Sequence, residues 1–297
     1  MAIAIGWMAK SGLNPLRTVI AAVLLLAAAL PSLAQNVAMV TDLSGKAALQ
    51  GAAGKGNIAI LSEIAAETRI QLEGGARLVV IYLKSGDEYT FTGPAQIQFR
   101  SNEPQVLSGA GPQKRESPLG KGGKNVMIKP IGVAHGAYVM RSGRPTARIK
   151  LLTLSGTKTL DTAPEFRWQE IEAGVKYRFE LTDDTGKSLF ETDVTGSSLT
   201  LSASVQLRVG VAYTWELSAR LPDGKRYVSA GDFSIATSGL RVQADALRPG
   251  PGAAVSDRVA FAAWLEQMEL RDEARKYWRT LSAERPEDAK LRALAAE

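Results

Sequence analysis

The chain has no cysteine in 297 residues and a single histidine, His135. Disulfides, thiolate metal sites and cysteine nucleophiles are therefore excluded, and any imidazole chemistry would fall to one side chain. That side chain lies in Gly132-Val-Ala-His-Gly136, with no carboxylate beside it to orient the ring, a poor setting for a metal ligand or a triad member. The serines show no Gly-x-Ser-x-Gly elbow. The glycine-rich Gly120-Lys-Gly-Gly-Lys124-Asn125 lacks the spacing and the closing Ser or Thr of a phosphate loop. Asp183 and Asp184 stand in a Gly-containing turn, where solvated turn carboxylates are expected rather than a catalytic pair. No constellation for catalysis is visible, so the sequence reads as non-enzymatic, with no cofactor and no metal.

Long apolar runs are scarce as well. Val19 to Leu30 is apolar, follows the basic Lys10 and Arg17, and leads into Pro31-Ser32-Leu33-Ala34. Twelve residues are short of the roughly 20 that a bilayer span takes. Small residues before Gln35 mark a signal peptide, with cleavage expected after Ala34 and a periplasmic or secreted destination. Lipidation at the cut is excluded by the absence of cysteine.

What remains is globular in composition, with 45% hydrophobic and 22% charged residues. The formal charge of +6 falls to +4 without residues 1–34, a mild excess that favours an anionic partner only weakly. The length fits two or three folded units.

Asn36 to Glu103 alternates short apolar runs with turns at Gly74-Gly75 and Ser85-Gly86-Asp87, the pattern of a β-domain over 35–103. Its Val40-x-x-Leu43-x-Gly45 opening, the step Ile64-x-x-x-Thr68-x-Ile70-x-Leu72, the Gly75-Ala-x-Leu78 strand and the Leu83-x-Ser-Gly86-x-Glu-Tyr89 hairpin resemble the FecR domain of exported bacterial proteins. That resemblance implies a β-fold and a sensory or regulatory role beside a transport or signalling system. The signalling members place a cytoplasmic domain before a membrane span, whereas an export signal is expected first here.

Residues 104–145 are rich in Gly, Pro and Lys and read as an exposed linker that holds some strand pattern. Lys114, Arg115, Lys121, Lys124 and Lys129 form its charge cluster, a candidate contact for an anionic cell-wall polymer or lipid. Without interleaved aromatics it does not suggest nucleic acid.

From Ala147, which opens an expected first strand running to Leu154, period-two segments continue to Phe233-Ser-Ile235. Turns at Asp183-Asp184-Thr-Gly186 and Pro222-Asp223-Gly224 separate them, and seven or so strands imply a β-sandwich over 146–238. Pro164-x-Phe166-x-Trp168 and Tyr213-x-Trp215-x-Leu217 resemble the strands of immunoglobulin-like and fibronectin-type modules. Both tryptophans read as core residues whose indole N–H groups need partners.

A Pro249-Gly-Pro251-Gly252 linker over 239–255 precedes a helical unit at 256–297. Phe261, Leu265 and Met268 share one helical face, and Ala274, Tyr277, Trp278 and Leu281 another. Ser256 or Asp257 is expected to cap the first helix and Asp272 the second. Ala274, Trp278 and Pro286 resemble the small, aromatic and proline positions of one tetratricopeptide repeat, with Arg258 and Ala262 in place of its usual Trp and Gly. A solitary repeat cannot bury its own face. It must dock on the β-units, cap a partner's array or dimerise, which makes Phe261, Leu265, Tyr277 and Trp278 candidates for binding an envelope protein.

The sequence thus describes a mainly β protein: two antiparallel β-domains, a C-terminal helical hairpin, and a binding or scaffolding role through protein contacts. Sensing and polysaccharide binding are the alternatives, and the oligomeric state is not written in it.

Overall fold

The computed structural model describes residues 35–50, 58–121, 147–202 and 204–296. The signal segment, Lys124, Lys129 and His135 lie outside them, and for Lys121 the backbone alone is described.

The run Leu78-Val-Val-Ile-Tyr82 does not alternate, and its place in the fold follows from that. It forms β5 (Arg77–Tyr82), buried on both faces, as a continuous apolar run requires. β5 is central in a sheet ordered β3-β1-β5-β6-β9, with β1 (Asn36–Ser44), β3 (Glu63–Ala65), β6 (Asp87–Thr92) and β9 (Gln113–Glu116). A second sheet, β2-β4-β7-β8, is built from β2 (Ala47–Gln50), β4 (Arg69–Leu72), β7 (Ala95–Phe99) and β8 (Pro104–Ser108). Leu78, Val80 and Tyr82 point between the two sheets with Ile70, Phe91 and Phe99. Gly45 turns β1 into β2 at φ +80°, where a Cβ would come within 2.8 Å of the Ala76 Cα, so only glycine fits. The stretch expected as linker from 104 therefore supplies two strands, β8 and β9, and the short helix α1 (Pro118–Lys121) to this unit. Its charges concealed them, because β8 and β9 are largely exposed and carry little apolar pattern.

The second unit is the expected sandwich. A five-stranded sheet, β10-β16-β15-β12-β13, faces the pair β11-β14. The strands are β10 (Thr157–Thr159), β11 (Glu165–Arg167), β12 (Lys176–Asp183), β13 (Ser188–Thr195), β14 (Ser198–Thr200), β15 (Ala212–Arg220) and β16 (Arg226–Ile235). Alternate residues of β12 and β15 are buried, so Phe179, Leu181, Trp215 and Leu217 pack on Phe166 and Phe233. Gly186 and Gly224 take positive φ in the two expected turns. Ala147 to Leu154 does not form the expected strand; it makes isolated bridges, Ala147 to Tyr227 and Leu151 to Trp168. The segment crosses from one sheet to the other, and Leu154 at φ +56° ends any extended run.

Helix α2 (Ser238–Leu247) begins at the last residue of the expected sandwich and occupies the first part of the expected second linker, with the Thr237 hydroxyl accepting from the Leu240 amide. Leu240, Ala244 and Leu247 give it an apolar stripe. α3 (Val255–Gln267), α4 (Arg271–Glu284) and α5 (Ala289–Ala296) follow. Neither Ser256, Asp257 nor Asp272 caps its own helix: the N-caps are Ala254 and Leu270, without side-chain bonds. Those polar groups serve contacts with the β-units instead. No helix among the described residues is long and apolar enough to cross a membrane.

Candidate functional site

The helical stripe expected to meet a partner protein is already covered. Phe261, Leu265 and Trp278 are 1% exposed or less, and Tyr277 is half-buried with its ring edge-on to Phe261 at 5.2 Å. They belong to one core with Trp264, Met39 of β1, Ile81 of β5, Leu119 of α1 and Ala236 at the end of β16. The outward side of β1, with Ile81 of β5, is thus closed by α3. Of the three outcomes open to a solitary repeat, this chain takes docking on its own β-units, which corrects the assignment of these four residues to an outside partner.

Charged groups fix the same contact. Asp42, whose side chain is 3% exposed, accepts from Arg77 at 2.8 Å on its own unit and from Arg285 at 2.5 Å beyond α4. Arg115 of β9 spans Glu88 at 2.6 Å, Asp257 at 2.8 Å and the Ser256 hydroxyl at 3.2 Å. Burial opposes the charge on Arg115, but its hydrogen bonds to Asp257 and Glu88 outweigh that and raise its pKa. On the sandwich side, Asp272 accepts from the Leu154 amide at 2.7 Å, and the Lys158 amide and Thr157 hydroxyl bond to the Glu269 carbonyl at 2.7 and 3.0 Å. The helices therefore touch both β-units through buried apolar and polar contacts.

The basic cluster divides accordingly. Arg115 is a structural clamp and not a free cation. Lys114 pairs with Asp87 at 2.9 Å and lies 5.5 Å from the centre of the Tyr89 ring; the Asp87 hydrogen bond raises its pKa. Lys121 closes α1, while Lys124 and Lys129 lie outside the described residues. The cluster as a continuous anion surface is thus not assembled by its described members.

Both sandwich tryptophans are fully buried, which removes them as a sugar-stacking platform. Trp215 donates to the Leu154 carbonyl at 2.8 Å, passing over Gly231, where a Cβ would meet its indole nitrogen at 2.7 Å. The Trp168 indole N–H has no partner among the described residues. Asp183 accepts from the Thr185 hydroxyl and the Thr185 and Lys187 amides, and these bonds hold its pKa down, as for a turn carboxylate.

An open surface does exist, and it carries a charge pattern that sequence reasoning missed. On the outer face of β12, β15 and β16, Arg220 stands directly opposite Arg226, and extending the β12-β15 register by one residue puts Lys176 opposite Arg220. With Arg178 they line a depression of about 430 Å³ in which Asp193 is the one acid. Lys176, Arg220 and Arg226 have no ion-pair partner among the described residues. Two rows along the strands, Glu180 stands between Glu191 and Glu216. Like charges placed directly across strands oppose folding, and here they occur twice on one face. Arg178, between the rows, pairs with Glu191. The period-two pattern of each strand was legible, but rows across strands depend on register, which no single strand records. Exposed large apolar residues, in contrast, are isolated: Leu107, Leu189, Val209 and Val242.

No family model matches this sequence, the FecR family included, and no curated protein sequence matches it. Among solved structures, CopC from Methylosinus trichosporium OB3b aligns at 18% identity and a TM-score of 0.24, over 30% of this chain and 95% of that one. The fn3 domain of the human collagen alpha-1(XX) chain aligns at 16% identity and a TM-score of 0.24, over 40% and 96%. A chain of a cytokine receptor complex aligns at 11% identity and a TM-score of 0.24, over 68% of this chain and 98% of that one. Scores of this size carry no function across.

Proposed function

We propose that this protein is an exported, non-enzymatic binding scaffold of the cell envelope that acts through protein contacts. The observation that carries this reading is the use of the helices: they bury their apolar stripe against Met39 of β1 and Ile81 of β5 and tie the sandwich to the same core. Such an arrangement holds two β-modules together and leaves the charged outer sheet face of the sandwich open for recognition. Export rests on the signal-like segment before Gln35. The FecR-like spacing of the first β-unit would place the scaffold beside a transport or signalling system.

The test is photo-crosslinking in the cell, with a photoreactive residue at Ser218 on the open sheet face and, in a separate variant, at Val242, which is 69% exposed on α2. Protein adducts from Ser218 and none from Val242 support the reading. Adducts to glycan only, or protein adducts confined to Val242, overturn it.

A further inference from the structure

The charged face of the sandwich is complementary to itself. Its outer surface holds a cationic row (Lys176, Arg220, Arg226), a middle row (Asp193, Arg178, Ser218, Val228) and an acidic row (Glu191, Glu180, Glu216). Consider a two-fold axis that runs along the middle row, in the plane between two facing sheets. It carries the cationic row of one copy over the acidic row of the other, so Lys176 meets Glu180 and Arg220 meets Glu216, each twice.

We propose that a second copy of this chain docks on this face as an isologous dimer. The inference rests on the reading of the protein as a scaffold and names its partner. Three features select a second copy over a polyanion. The cationic and acidic rows are four residues apart on a strand, roughly 13 Å, so a uniform polyanion lying along the strands would meet three glutamates. The like-charge rows are unfavourable within one copy, and a facing copy sets Glu180 and Glu216 against Lys176 and Arg220, with Arg226 and Glu191 opposite the uncharged Ala230 and Thr195. Finally, in the middle row Ser218 and Val228 are small and allow close approach, while Arg178 and Asp193, which meet their own copies across the axis, are neighbours of opposite charge, and Arg178 is also held by Glu191.

Four strands about 4.8 Å apart and about 27 Å long present roughly 500 Å² per copy. Two copies would bury about 1,000 Å², the lower limit for a specific interface. The dimer is therefore concentration-dependent, and salt weakens it by screening the exposed charges.

The experiment is sedimentation velocity on the purified full chain at low and high salt. Lys176→Glu with Arg220→Glu makes both charged rows acidic on β12 and β15, and Glu180→Lys with Glu216→Lys makes both basic there. Wild type should sediment as a dimer at low salt and as a monomer at high salt. Each double variant should be monomeric with unchanged circular dichroism, and their equimolar mixture should dimerise at least as well as wild type, a recovery that misfolded variants could not give. A wild type that stays monomeric at low salt, or a dimer indifferent to both reversals, overturns the proposal. So does a monomer that binds inorganic polyphosphate through Lys176 and Arg220, which would assign the face to a polyanion. Monomeric protein in solution together with envelope-protein adducts at Ser218 in the cell would remove the dimer and leave the scaffold reading intact.

Discussion

Trp215 and Trp168 are equally buried, yet they differ in how their indole nitrogens are served. Trp215→Phe leaves the buried Leu154 carbonyl without its donor, whereas Trp168→Phe removes a donor that has no partner among the described residues. Unfolding in urea should therefore show the Trp215 variant less stable than the Trp168 variant by about 1–3 kcal/mol, the cost of one orphaned buried polar group. Equal losses would mean that packing alone decides both sites. Glu269 gives a second test. Its hydrogen bond to Lys158 holds its pKa below the ordinary 4.5. A carboxylate depressed in the folded state contributes stability that is full above its unfolded pKa and is lost as pH falls through the folded one. Glu269→Gln should lower stability at neutral pH, by under about 1 kcal/mol because the pair is largely exposed, and should flatten the acid side of the stability–pH curve. An unchanged acid limb would show that Lys158 and Glu269 do not interact in solution.

The elements show where sequence and structure part. Alternation was sufficient for β12, β15 and β16, and the apolar turns of α3 and α4 were equally plain, because each buries a face set by its own period. The destination of those faces was harder to read. The clue lay elsewhere, in the unalternating Val79-Val80-Ile81: a strand apolar on both sides needs a cover on both sides, and the helices are that cover. Ser256, Asp257 and Asp272 looked like caps because cap residues and long-range acceptors share the same chemistry; their bonds to Arg115 and the Leu154 amide depend on contacts across more than 100 residues. Removal of residues 255–297 should consequently do more than abolish partner binding. It exposes Met39, Ile60, Ile81 and Leu119 and takes Arg285 from Asp42 and Asp257 from Arg115, leaving each with only its partner inside the β-unit. We expect the melting temperature of the first β-unit to fall and the truncated protein to aggregate. A truncation whose β-units melt as in the full chain would show that the helices are independent of them.

In the whole molecule the helical layer is internal structure shared by the β-units, which leaves the outer sheet face of the sandwich open. The charge rows of that face illustrate why the candidate site was the least legible part: Lys176, Arg220 and Arg226 are 50 residues apart at the extremes and meet through register alone. Native-state hydrogen exchange can show whether the helical layer and the first β-unit share one core, by comparing amides of β5 with those of α3 in the full protein and in Trp264→Ala, a truncation in the middle of the shared core. The account predicts that β5 and α3 are protected to a similar free energy and that Trp264→Ala lowers protection in both. Exchange of α3 to α5 that is fast and leaves β5 fully protected, or loss confined to α3 in the variant, would contradict it.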